Sequence, residues 1–195
     1  MNKLALSLVA AASAVIPAAA HAQALPAAVV AVVDLDKVTS SCTACRTAQT
    51  ALQGQVTSLE TRQKSLATPL QTEQQSIQTA INALNGKEPD AALQARIRAF
   101  EAKRQQSAQD IANQEQQIRR NQQYVQQQVA TKLGPIYQQV MQRRGANVLV
   151  EASATLATAS AIDVTNDVLT GLNAAMPTIQ VVAPAQAQPK QPQGR

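Results

Sequence analysis

The chain has 195 residues, 17 Lys and Arg against 12 Asp and Glu, and a formal net charge of +5. It contains no Trp, one Phe (Phe100), two Tyr (Tyr124 and Tyr137) and one His (His21). Aromatic side chains dominate core energetics through buried area, so their scarcity excludes a thick compact interior. Abundant Ala and Gln suit long helices with thin apolar seams instead.

The first element is a secretory signal over residues 1–22. Lys3 supplies the positive start, Leu4 to Ile16 an apolar run closed by Pro17, and Ala20-His21-Ala22 the small-residue cleavage pattern. Cleavage is expected after Ala22, with Ala24 as the alternative because Ala22-Gln23-Ala24 also fits. The run is shorter than the roughly 20 residues a membrane span needs, and no later segment comes closer. A soluble, exported mature chain is expected. Its only His leaves with the signal, which removes histidine from catalysis or metal binding.

Residues 28–35, "AVVAVVDL", are continuous, apolar and Val-rich and read as a buried strand. Asp34 and Asp36 end it and cap the next segment; a metal or acid–base pair is the weaker reading. Next comes Cys42-Thr43-Ala44-Cys45, a C-x-x-C at the start of a helix, as in thioredoxin-like enzymes. That fold needs further strands and helices around the motif, whereas a coiled hairpin begins at once here. A Cys42–Cys45 disulfide is geometrically feasible in an oxidising compartment, though a loop of about four residues adds little entropic stabilisation. A helix N-terminus can lower a thiol pKa, which keeps a thiol oxidoreductase as a minor reading. Two thiols without His do not make a zinc site.

From residue 44 to 84, apolar residues recur at Ala48, Leu52, Val56, Leu59, Leu66, Leu70, Ile77, Ile81 and Leu84. The steps are those of a coiled-coil seam. The pattern resumes at Leu93, Ile97, Phe100, Ile111, Ile118, Val125, Val129, Leu133, Ile136 and Val140, broken by Arg104, Gln114 and Asn121 or Gln122. This predicts two helices of about 40 and 55 residues, roughly 60 and 80 Å long. Between them Asn85-Gly86 supplies a left-handed terminator and Pro89-Asp90 a helix start, so the tip falls near residues 85–90. The short connection makes the pair an antiparallel hairpin. Fifteen Gln between Asp90 and Arg144 weaken the seam. Pro69 and Gly134-Pro135 interrupt the helical pattern and read either as tolerated kinks or as arm hinges.

Residues 46–144 hold thirteen Lys or Arg against seven Asp or Glu. Arg62, Lys64, Lys87, Arg96, Arg98, Lys103, Arg104, Arg119 and Arg120 make this arm basic, while the rest of the mature chain is slightly acidic. Most such charges serve solvation; the excess favours anionic partners, acidic polypeptide or lipid head groups. Export and a lone Phe argue against nucleic acid. After Gly145, residues 147–152 ("NVLVEA") and 154–159 ("ATLATA") read as further strands. A helix at "DVTNDVLTGLNAAM" comes next, capped by Asp163 or Thr165. Three short strands are too few to stand alone, and their edges pair most simply with copies of the same chain. The fold class is therefore α+β. A long helical hairpin arm (46–144) stands on a discontinuous oligomerisation body (25–45 and 145–176), and a disordered Pro/Gln-rich tail ends the chain (177–195).

The run "VVAVVDLDKV", the long hairpin, and "NVLVEASATL" followed by "IDVTNDVL" together resemble the Skp/OmpH family of periplasmic chaperones. No single residue is diagnostic; order and lengths carry the match over nearly all of the mature chain. The resemblance implies a homotrimer. A shared β body, here Val30, Val32, Val33, Leu35, Val148, Leu149, Val150 and Leu156, would hold three arms around a cavity for unfolded outer-membrane proteins. It implies an ATP-independent holdase that is not an enzyme and takes no cofactor. The nine basic arm residues would be weak client contacts, with anionic lipid or lipopolysaccharide as further partners. The family needs no cysteines at this position, so Cys42 and Cys45 depart from it. The rival from another class is a passive coiled-coil scaffold or spacer of the cell envelope.

Overall fold

The structure is a computed structural model that describes residues 25–185. The expected signal segment and residues 186–195 lie outside the described residues. In chain order the elements are β1 (Val30–Val33), α1 (Leu35–Ser41), α2 (Thr43–Ala83), α3 (Ala91–Arg144), β2 (Val148–Glu151) and α4 (Thr165–Ala175). Two 3-10 turns, Ala152–Ala154 and Ser160–Ile162, separate β2 from α4.

Each boundary has a local cause. Asp34 ends β1 and accepts the Lys37 N–H at 2.8 Å, which caps α1 and places Leu35 on that helix. The strand expected over residues 28–35 is thus shortened at both ends. Cys42 is extended (ψ 125°), which divides α1 from α2, and its Sγ accepts the Cys45 N–H at 3.2 Å. Asn173 Oδ1, reaching across from α4, accepts the Thr43 N–H at 3.0 Å. The first turn of α2 is thereby satisfied from two directions. At the tip Asn85 (φ 49°) and Gly86 (φ 87°) take the left-handed conformation that reverses the chain. Asp90 then accepts the Leu93 N–H at 2.8 Å and starts α3. Gly145 (φ 66°) closes α3, with the Ala146 N–H bonded to the Met141 carbonyl.

The 41 residues of α2 and the 54 of α3 form the expected antiparallel hairpin. Gln55 meets Asn121 at 2.8 Å near the base, and Glu73 meets Arg96 at 2.6 Å near the tip. Both helices run unbroken through their internal prolines, Pro69 and Pro135.

At the base, β1 and β2 pair in parallel, Val30 opposite Val148 through Val33 opposite Glu151, with the whole arm as their connection. The expected third strand does not form. Residues 152–154 turn into a 3-10 helix and "ATLATA" leaves the sheet, because this Ala/Thr run has little apolar bulk and no strand beside it. On its other side β1 makes one isolated bridge among the described residues, Val32 to Asp163.

The core sits where β1, α1, α4 and the lower ends of α2 and α3 meet. Val38, Cys42, Val140, Val168 and Leu172 are fully buried there, with Ala31, Val33, Ile136 and Met176 around them. At Gly171 α4 lies close against α3: a Cβ there would stand 2.9 Å from Ile136 Cγ2. Arg144 ties the end of α3 to Asp167 of α4 at 2.6 Å. The base therefore has an interior of its own within one chain, more than the sequence suggested.

The expected disordered tail also needs correction over its first part. Residues 177–183 run along α3, where Ile179 packs against the core. The Gln180 backbone bonds the Gln128 side chain, and the Ala183 N–H bonds Asn121. The Pro/Gln-rich stretch itself begins only at Pro184.

Candidate functional site

Two surfaces stand out, one on the base and one along the arm. On the base, Val33 is 3% exposed and packs with Ala31 in the chain's own core, while Val32, on the opposite face of β1, is also 3% exposed, so both are covered within the chain. Val30, on the same face as Val32 but at the start of the strand, opens onto solvent at 38%, as does its partner Val148. Leu35 is half-buried on α1, and Leu149 and Val150 are half-buried on β2. Leu156 is fully exposed. β2 has no neighbour on its outer edge among the described residues. The base thus presents an unpaired strand edge together with exposed Val30, Val148 and Leu156.

Along the arm, burial falls off sharply above the base. Ala44, Ala48 and Leu52 of α2 are buried, but Leu59, Leu66, Leu70, Ile97, Phe100, Ile111 and Ile118 are only half-buried. Two helices can cover each other's apolar stripe from one side only, so the seam stays open along its flanks. Apart from Ile77, the buried arm residues between Leu52 and Leu133 are Ser107 and Asn121, both polar. Asn121 tolerates this because it donates to Gln55 and accepts from Gln117, each at 2.8 Å.

The open flanks form shallow grooves. One of about 900 Å³ lies at the foot of the hairpin between Cys45, Val125, Val129 and Leu133, with Asp36 and Arg46 also in its lining. Midway, about 450 Å³ opens over Leu66, Leu70 and Ile111 beside Arg104. Toward the tip, about 330 Å³ lies over Pro69, Leu70 and Phe100, edged by Arg96 and Lys103. Each groove combines aliphatic walls with basic side chains.

The basic residues divide into two groups. Arg96 pairs with Glu73, Arg104 with Glu101 and Arg119 with Glu115, while Arg120 donates to Gln117. The hydrogen bond from Arg96 is the main reason the Glu73 carboxyl titrates below its ordinary range, and Arg96 is raised in turn. Arg62, Lys64, Lys87, Arg98 and Lys103 have no ion-pair partner among the described residues. These five leave a positive charge free for a visitor.

Cys42 and Cys45 are joined in a disulfide; Cys42 is fully buried and Cys45 half-buried in the wall of the foot groove. Asp34 is spent as the α1 cap. Asp163 accepts from Thr165, and that bond, ahead of the field of Lys37, holds its carboxyl below the usual range. A Cβ on Gly134 would meet nothing within 4 Å. The contacts of Gln128 and Asn121 with residues 180 and 183 were missed from sequence, where Asn121 counted only as a break in the seam. Its heptad spacing from Gln128 was the available signal.

Comparison with known proteins fits this geometry. No curated protein matches the sequence. The solved structure of an OmpH-like protein from Caulobacter crescentus, described as a candidate outer membrane chaperone, superposes with a TM-score of 0.68 at 17% identity. The match covers 85% of this chain and 96% of the other, and the two share the fold. The family model described as "Outer membrane protein (OmpH-like)" matches residues 29–172, which spans β1 through the core-facing turns of α4. A match over that length, by a family of this architecture, establishes that the chain belongs to the OmpH-like family.

Proposed function

We propose that the protein is an ATP-independent holdase chaperone of the periplasm, which keeps unfolded outer-membrane proteins competent for insertion. The observation that carries this reading is the arm: a long hairpin whose apolar seam is open on its flanks and edged by the basic residues Arg96, Lys103 and Arg104, of which Lys103 has no ion-pair partner among the described residues. A holdase must bind many sequences without fixing one conformation, and shallow distributed contacts do that better than one shaped pocket. Free positive charge speeds capture of acidic segments and loses reach as salt shortens the Debye length.

A homotrimer completes the proposal. The bare edge of β2 and the exposed Val30, Val148 and Leu156 would be covered by neighbouring subunits, and three arms would then enclose the client. Several weak contacts on linked arms add through avidity. The prolines at 69 and 135 serve in this reading as places where an arm bends around its load. The basic faces also suit anionic lipid or lipopolysaccharide at the membrane surface.

The test is direct. Mature protein is added to a urea-unfolded outer-membrane β-barrel as the urea is diluted, and aggregation is followed by light scattering at low and high salt. Suppression at low salt that weakens at high salt is expected. No suppression at any ratio would reject a holdase and leave a spacer or scaffold as the better reading.

A further inference from the structure

Residues 178–183 are held on α3 by bonds that ignore their side chains. Gln128 Nε2 donates to the Gln180 carbonyl at 2.8 Å, and Gln128 Oε1 accepts the Gln180 N–H at 3.0 Å. Two turns closer to the tip, Asn121 Oδ1 accepts the Ala183 N–H at 2.9 Å. The spacing is self-consistent: seven helical residues rise about 10.5 Å, and three residues of extended chain cover about 10 Å. Burial along the segment alternates, with Ile179, Val181 and Ala183 half-buried and Thr178, Gln180 and Val182 exposed. That is the period of a β-strand.

The host side is firm and the guest side is loose. Asn121 is 3% exposed and fixed by Gln55 and Gln117. The bonds to Gln180 are open to solvent, and Val182, which borders a groove of about 270 Å³ beside Leu59 and Ile118, is 65% exposed. Gln114 lines the same groove one heptad further toward the tip. A solvent-exposed hydrogen bond of this kind contributes little net stability, so the guest is easily exchanged.

We propose that α3 carries a backbone-reading site for extended polypeptide, with Gln128 and Asn121 as its rungs, and that residues 178–183 fill it as a built-in competitor. The proposal rests on the holdase reading for the identity of the displacing partner: an unfolded chain whose segments alternate apolar and polar residues, as strands of a membrane β-barrel do. Because the bonds go to main-chain atoms, such a segment replaces the strap whatever its side chains. The strap lowers apparent affinity by the fraction of sites it fills, and it shields the seam while no client is present.

The test uses the full mature chain and its double variant Gln180→Pro with Ala183→Pro, which deletes both donated N–H groups and changes no core side chain. The probes are a urea-unfolded outer-membrane β-barrel and a labelled hexapeptide with the sequence of residues 178–183. A second hexapeptide is N-methylated at its Gln and final Ala. Binding is read by anisotropy and by shifts of the Gln128 and Asn121 side-chain amide signals. The variant is expected to bind client and plain peptide about three- to tenfold more tightly than the parent, with both amide signals shifted. Adding Gln128→Met to the variant should reverse the gain, and the methylated peptide should bind neither form. Equal affinity of parent and variant, or equal binding of methylated and plain peptide, overturns the proposal. Peptide binding with the expected shifts but no client binding sustains the site and rejects the holdase reading.

Discussion

The base and the arm are made from one chain under opposite rules. In the base, β1, α1, α4 and the lower ends of α2 and α3 bring apolar residues to one small interior, and the start of α2 is capped from across the fold by Asn173. In the arm, two helices share a seam too narrow to bury what it holds, and its deepest residues include a serine and an asparagine. The contrast teaches that burial and open surface are kept apart: the base holds the apolar interior, and the arm carries surface.

The sharpest way to break that contrast is to cut the same residue type in both regions. Leu172, fully buried in the base, should cost about 2–5 kcal/mol when changed to Ala, through lost transfer energy and the cavity left behind. Leu66→Ala, at a half-buried arm position, should cost less, about 1–2 kcal/mol by area. Urea unfolding followed by circular dichroism measures both. Comparable losses would mean the arm is as tightly built as the base.

Glycines give a second comparison in which the sign differs. Gly171→Ala drives a methyl against the stiff, buried Ile136, and overpacking of about 1–3 kcal/mol outweighs the helix propensity gained. Gly54→Ala in α2 meets nothing within 4 Å, so it should stabilise by about 0.5–1 kcal/mol. Thermal unfolding of the two variants should move in opposite directions.

The smallest effect is an acid-side one. Asp163 is depressed by its bonds to Thr165, so its contribution is fully present above the ordinary carboxylate value of 3.8 and fades as pH falls through its lower folded value. Asp163→Asn should therefore weaken the base at neutral pH and converge with the parent in strong acid. Urea midpoints measured across that range check it; a constant difference at all pH values would assign the loss to shape alone.

Legibility in the sequence divides along the same line. The hairpin was readable because heptad spacing, Asn85-Gly86 and Asp90 are local signals that need no distant partner. The family resemblance was readable for the same reason, through order and length. The short helix α1 was not, since a Val-rich run ending in Leu35 carries strand propensity and only the Asp34 cap redirects it. The third strand failed because "ATLATA" has strand-compatible residues but no neighbour, and pairing is a property of two segments. Placement of residues 177–183 was hidden by the Pro/Gln composition that begins just after them. In the candidate site, the basic residues were all nameable from sequence, yet which of them stay unpaired depends on the hairpin register, as Arg96 with Glu73 shows.

Hydrogen exchange of the mature protein, alone and loaded with an unfolded outer-membrane β-barrel, measures the division of labour most directly. Amides of β1, α4 and the lower ends of α2 and α3 should exchange slowly in both states, while those between residues 57 and 120 exchange quickly alone and slow on loading. New protection confined to the base, or none anywhere on the arm, would contradict the account.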